Sequence, residues 1–163
     1  MSRTGVLFVC LGNICRSPLA EGIFLHLARA RGLAERFDVD SCGTGAWHVG
    51  ERADQRSIAV ARRHGVELPS IARQLDPASD FERFHWFIAM DRANVRSILT
   101  AGGPRERVRL MRSFDPSLAG REMSDLDVPD PYDWHGDGFE DVYQMLLSAC
   151  RGLLDVLADD LES

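Results

Sequence analysis

The chain alternates between short apolar runs and longer stretches whose apolar residues recur every three or four positions. Val6–Val9 is an unbroken apolar run, which reads as a short buried strand. Leu19, Ile23 and Leu27, with Ala20 and Phe24 beside them, share one face of a helix over Pro18–Arg31, ended by Gly32. Ser17 followed by Pro18 reads as an N-cap and a first helical position. A second strand is expected over Arg36–Ser41, with Phe37 and Val39 apolar, and a second helix over Asp54–His64, ended by Gly65. Trp86, Phe87 and Ile88 make His85–Met90 a third, fully buried strand. A third helix over Asp91–Thr100 stops at Gly102-Gly103-Pro104, and Arg107–Met111 is a fourth strand. Phe139, Val142, Tyr143, Leu146, Cys150, Leu153, Leu154 and Leu157 line one face of a closing helix over Phe139–Leu157. Ser113–Gly138 has no period, and irregular stretches of that length are usually functional or disordered.

Strands alternating with helices predict an α/β fold: a single-domain three-layer sandwich, a four-stranded parallel sheet with helices on both faces. No repeat, low-complexity tract or linker divides the chain, so residues 1–163 are expected to form one domain. Ligands of such sheets sit beyond the carboxyl ends of the strands. Cys10, Cys42 and Asp91 each follow a predicted strand and are expected to face that side together.

Composition narrows the function. With 45% hydrophobic and 27% charged residues, the chain is an ordinary globular protein. A net charge of −6 argues against a general nucleic-acid binder and confines any affinity for anions to a local site. All 19 basic residues are arginine. A Walker-A lysine, a kinase strand lysine and a Schiff-base lysine are therefore excluded. Four cysteines (Cys10, Cys15, Cys42, Cys150) make no disulfide framework and point to a reducing, cytoplasmic location. The Val6–Leu11 run is too short for a signal peptide, lacks a small-residue cleavage site and leads straight into Asn13 and Arg16. No apolar run approaches the roughly 20 residues of a membrane span, so no membrane partner is expected.

The densest chemistry lies in Cys10-Leu11-Gly12-Asn13-Ile14-Cys15-Arg16-Ser17, between the first strand and the first helix. A tight loop at a helix start gathers unpaired N–H groups around one point and adds the positive end of the helix dipole. Arg16 offers a planar donor fork that suits two phosphate oxygens. Gly12 allows close backbone approach, and Asn13 tolerates the left-handed conformation such a loop needs. The same donors stabilise a thiolate, so Cys10 is expected to be a nucleophile aimed at phosphorus. A zinc site from Cys10, Cys15, Cys42 and His48 is disfavoured, because the spacing is irregular and Arg16 with the helix N-terminus repels a cation.

This loop, with Pro18, Ala20 and Glu21, resembles the phosphate-binding loop of the low-molecular-weight protein tyrosine phosphatases. The resemblance runs along nearly the whole chain. Ser41, Gly43, Gly45 and Trp47-His48-Val49-Gly50 resemble the family's second loop. Asp54-Gln55-Arg56, Ala72-Arg73-Gln74-Leu75 and Met90-Asp91 match later landmarks, and Asp130-Pro131-Tyr132 matches the acid loop. Without the resemblance, Asp130 reads as a solvated residue stiffened by Pro129 and Pro131.

The resemblance implies a two-step phosphoryl transfer. Cys10 attacks phosphotyrosine, while Arg16 and the backbone from Leu11 through Gly12, Asn13, Ile14 and Cys15 to Ser17 hold the equatorial oxygens. Asp130 protonates the departing phenol and then activates water, and Ser17 eases release of the Cys10 sulfur. Trp47 and Tyr132, in loops, are expected to wall the pocket and select a long aryl phosphate over phosphoserine. Neither metal nor cofactor is required, and a monomer acting on phosphotyrosine proteins is expected. Cys15 is implied to form a reversible disulfide with Cys10.

The sequence departs from the family at two points. Asp133, followed by Trp134, stands where relatives often carry an aromatic, which implies a preference for basic substrate flanks. Ser70 stands where many relatives carry a histidine that braces the phosphate loop, leaving the support of Asn13 open. Three competing readings remain. A protein-arginine phosphatase on this scaffold carries threonine at the position of Ile14, and bulky Ile14 favours tyrosine. An arsenate reductase needs further relay cysteines, and none lies between Cys42 and Cys150. A catalytically silent phosphate-binding module is opposed by the intact Cys10, Arg16 and Asp130.

Overall fold

Four parallel strands form the middle layer of the computed structural model, which describes residues 2–133 and 137–162. They are β1 (Thr4–Cys10), β2 (Phe37–Gly43), β3 (Trp86–Ala89) and β4 (Val108–Leu110), in the order β2-β1-β3-β4. The helices are α1 (Arg16–Ala30), α2 (Gln55–Arg63), α3 (Pro77–Arg83), α4 (Arg92–Thr100) and α5 (Gly138–Glu162).

Strand alternation makes the three layers, because successive side chains leave a strand on opposite faces. Val6, Phe8 and Cys10 enter a core shared with Leu19 and Phe24 of α1, Val60 of α2 and Leu146 of α5. Leu7 and Val9 enter a second core with Phe84, Phe87 and Ile98, against which Phe81 of α3 and Val95 of α4 pack. This is the expected α/β sandwich, with helices on both faces of a parallel sheet. The chain leaves β1 for β2 on one side and then crosses to β3 on the other. Reversals of this kind open a crevice at the strand carboxyl ends, and Cys10 is the last residue of β1.

Three local readings need correction. Helix α1 begins at Arg16 with Cys15 as its N-cap, so Ser17 lies inside the first turn and caps nothing. The Ser17 hydroxyl is engaged by Cys10 Sγ at 3.0 Å and Asn13 Nδ2 at 2.8 Å. Cys42 does not join Cys10 on the ligand side. It lies within β2, opposite Val9, and is fully buried in the second core with Leu7 and Phe87. Helix α3 has no counterpart in the apolar pattern, since at seven residues it is too short to display a period. Its buried Asp80 accepts the Asp76 N–H at 2.8 Å and a two-pronged bond from Arg73.

The stretch over Ser113–Gly138 contains short 3-10 turns at Pro116–Leu118 and Met123–Asp125 and is tied to the sheet edge. Val128, fully buried, donates its N–H to Met90 O at 2.7 Å. Trp134 lies outside the described residues. Among the described residues, no helix is long and apolar enough to cross a membrane.

Candidate active site

The loop between β1 and α1 wraps around the Cys10 sulfur. Asn13 adopts a left-handed φ of 56° and donates its backbone N–H to Cys10 Sγ at 3.3 Å. Asn13 is the one described non-glycine residue with positive φ, at a position where its side chain earns its keep. Its Nδ2 donates to Ser17 Oγ at 2.8 Å and Ser41 Oγ at 3.0 Å, and its Oδ1 accepts the Arg73 N–H at 3.0 Å. Ser41 in turn donates to Glu21 at 2.6 Å. Ser70 lies on the Glu21 side of this network and acts to lower the carboxyl. The loop is thus braced by buried Asn13, Ser41 and Glu21. Burial pushes the Glu21 carboxyl up to about 7, against the lowering effect of the Ser41 bond.

Two backbone bonds fasten the loop to the end of β2: Thr44 N–H to Cys10 O at 2.9 Å and Gly45 N–H to Leu11 O at 2.9 Å. A Cβ at Gly43 would sit 2.7 Å from Leu11 O, so glycine there permits this close approach. The first N–H groups of α1, at the end of the same loop, have no acceptor within the helix.

Arg16 is 2% exposed, yet three oxygens surround it. Its Nη1 donates to Asp91 Oδ2 at 2.6 Å and to Val128 O at 3.0 Å, and its Nη2 lies 3.5 Å from Asp130 Oδ2. Burial works against the charge, but neighbouring Cys10, Asp91 and Asp130 outweigh it and keep the guanidinium protonated.

A cavity of about 210 Å³ opens over the sulfur. Cys10, Leu11, Gly12, Ile14, Cys15 and Arg16 line it from the loop, Trp47 and His48 from the connection after β2, and Asp130, Tyr132 and Asp133 from the acid loop. Trp47 and Tyr132 are 72% and 45% exposed, so both are wall residues and neither belongs to the core. Asn13 and Ser17, by contrast, are buried behind the loop and do not line the cavity.

Two contributors, Asp91 and His48, carry no role in phosphate chemistry on the sequence alone. Asp91 anchors Arg16, and its place just after a buried strand was the available signal. His48 lines the cavity, bonded to Glu51 at 2.8 Å, with its ring 6.1 Å from that of Tyr132. A Cβ at Gly12 would come within 3.1 Å of the His48 ring, so glycine there also makes room for histidine. Among the described residues, no group of three metal-ligating side chains is assembled.

Comparison with known proteins converges on one family. Residues 5–163 match the family model described as low molecular weight phosphotyrosine protein phosphatase. The low molecular weight protein-tyrosine-phosphatase of Streptomyces coelicolor is 45% identical over 161 residues, covering 96% of this chain and 95% of the relative. The crystal structure of a protein tyrosine phosphatase from Entamoeba histolytica, with Hepes in its active site, superposes with a TM-score of 0.88 at 34% identity. That match covers 96% of this chain and 98% of the other. A drosophila arginine phosphatase is also similar, with a TM-score of 0.83 and 32% identity over 93% of this chain and 96% of that one.

Proposed function

Because the chain belongs to the low molecular weight phosphotyrosine protein phosphatase family, we propose that it hydrolyses phosphotyrosine through a cysteinyl-phosphate intermediate at the Cys10 cavity. One observation carries the reading. Cys10, Arg16 and Asp130 line a single cavity, with the arginine within reach of Asp130 at 3.5 Å.

Phosphoryl transfer needs in-line positioning and charge stabilisation more than covalent help from the protein. Cys10 Sγ, as thiolate, attacks phosphorus. Loop N–H groups and the Arg16 guanidinium take up the charge on the equatorial oxygens. The bonds to Asp91 and Val128 O hold Arg16 in place before substrate arrives. Asp130, protonated, gives its proton to the phenol oxygen as the P–O bond breaks. The resulting carboxylate then takes a proton from water, whose oxygen bonds to phosphorus and expels the Cys10 thiolate. Ser17 Oγ, 3.0 Å from the sulfur, donates a hydrogen bond to that leaving thiolate.

Trp47 and Tyr132 support an aryl group in the cavity, and Asp133 on its rim supports a basic substrate flank. The four free cysteines suit a reducing cytoplasm. The likeness to an arginine phosphatase supports a second reading, phosphoarginine hydrolysis. Ile14 on the cavity wall supports tyrosine over arginine.

Hydrolysis of an aryl phosphate without added metal tests the proposal. The wild type turns over with a bell-shaped kcat/KM profile that peaks on the acid side of neutral. Cys10→Ser is inactive, and Asp130→Ala loses about 10²–10³-fold in kcat. A wild type inert under reducing conditions, or a peak well above pH 8, defeats it.

A further inference from the structure

The second residue of α2 ties the phosphate loop to the acid loop. The Asp54 N–H donates to Ile14 O of the phosphate loop at 2.7 Å. Asp54 caps α2, its carboxylate accepting the Arg56 N–H at 2.8 Å. The same carboxylate accepts the Arg56 side chain through Nε and Nη2, each at 3.0 Å. This two-pronged pair fixes the plane of the guanidinium. Its carbon then lies 4.5 Å from the ring centre of Phe139, in the first turn of α5, and 5.5 Å from that of Tyr132. Tyr132 completes the link, because its N–H donates to Asp130 Oδ1 at 3.0 Å. A line of contacts thus runs from Ile14 O through Asp54, Arg56 and Tyr132 to the carboxyl of Asp130.

Fold stability does not account for this arrangement. The Arg56 side chain is 45% exposed, and exposed ion pairs contribute little. Helix α2 is held by buried Ser57, Val60 and Ala61 and keeps its cap whatever side chain stands at 56. Tyr132, by contrast, is a half-exposed ring on a loop, and among the described residues Arg56 and His48 are the cation and the ring that face it.

We infer that Arg56 is a positioning residue of the phosphatase reaction: its guanidinium seats the Tyr132 wall and, through the Tyr132 N–H, aims the Asp130 carboxyl at the departing phenol oxygen. The inference rests on the proposed phosphatase function. Arg56 touches neither the sulfur nor the phosphoryl group in this scheme. Its contribution falls on the step in which Asp130 delivers a proton, so it scales with how much the leaving group needs that proton.

The experiment compares wild type, Arg56→Ala, Arg56→Lys and Tyr132→Ala, together with the double variant, on phenyl phosphate and 2,4-dinitrophenyl phosphate. Phenolate is a poor leaving group and dinitrophenolate a good one. Arg56→Ala lowers kcat/KM for phenyl phosphate about tenfold, a part of the 10²–10⁴-fold reach of general acid catalysis, while dinitrophenyl phosphate stays within about twofold. Arg56→Lys keeps the charge but loses the planar fork, and recovers only part of the deficit. In the Tyr132→Ala background, removing Arg56 costs little more, the mark of coupled residues. Equal losses on both substrates, no loss on either, or full additivity with Tyr132→Ala overturns the role of Arg56 while the phosphatase reading stands. A wild type inert on both substrates overturns the phosphatase reading and this role with it.

Discussion

Arg16 and Asp130 approach to 3.5 Å in the cavity that holds the Cys10 sulfur, while Asp91 grips the same guanidinium at 2.6 Å. One cation therefore has two acidic partners, and the proposed reaction gives them different duties. Asp91 fixes where the guanidinium stands, and Asp130 would share it until a phosphoryl group competes for its donors. The two carboxylates should separate kinetically. Asp130→Asn lowers kcat for a phosphotyrosyl peptide by about 10²-fold with little change in KM, since a proton donor is lost. Asp91→Ala raises KM about tenfold, as expected when a buried charge loses one of its hydrogen-bond partners. It also destabilises the fold by about 1–3 kcal/mol. Steady-state kinetics on both variants decide the matter. A shared effect on the same parameter would sink the division of roles.

Glu21 gives the fold a pH dependence of its own. Its carboxyl is pushed from an ordinary 4.5 up to about 7, first by burial. The native protein therefore holds this proton more tightly than the unfolded chain does. Stability from this group is fully present below about pH 4.5 and is lost as pH rises through about 7. The loss is on the order of 3 kcal/mol, at about 1.4 kcal/mol per pH unit between the two values. Glu21→Gln keeps an acceptor for Ser41 and cannot ionise. Its urea midpoint should match wild type near pH 4 and exceed it near pH 8. Parallel midpoints across that range would show that folding leaves the Glu21 carboxyl at its unfolded value.

Much of this arrangement was legible in the residue order, and the gaps have physical causes. The apolar run of β1 and the long stripe of α5 were readable because each repeats its period over enough residues to be seen. The left-handed turn at Asn13 was readable because few residues adopt it. Ser17 was misread as a cap because Ser-Pro at a helix start carries a strong local signal. Its hydroxyl answers to Cys10 and Asn13, a contact that only the folded loop creates. Cys42 was misplaced because β2 runs two residues beyond its apolar pattern, to Gly43. The face a strand residue takes follows from its register, here Cys42 opposite Val9. Arg56 was legible only as part of the Asp54-Gln55-Arg56 landmark, and its aromatic partners come from a loop and a helix more than seventy residues away.

The cavity wall at Ile14 bears on substrate choice. Ile14→Thr preserves β-branching, so the loop backbone is retained while a methyl-bearing wall gains a hydroxyl. The variant should raise kcat/KM for phosphoarginine relative to phosphotyrosine by about tenfold, within the range of a single small pocket change. Parallel assays on the two phosphoamino acids measure the ratio. An unchanged ratio would place the discrimination elsewhere, at Trp47 or Tyr132.

Cys15 shares the cavity wall with Cys10, so a reversible disulfide between them is open to test. Peroxide should convert the Cys10 thiolate to a sulfenic acid. Attack by the Cys15 sulfur would then form the disulfide, the sulfenic oxygen leaving as water with the Cys15 proton. Burial, followed by the charge of Asp54, pushes the Cys15 thiol well above its ordinary range. Capture should therefore quicken as pH rises, because the thiolate is the attacking form. After a peroxide pulse and then dithiothreitol, wild type should regain most of its activity. Cys15→Ser, measured against its own unoxidised rate, should regain little, since Cys10 proceeds to sulfinic acid. Equal recovery by the two proteins would remove Cys15 from redox protection and leave it as a packing residue of the phosphate loop.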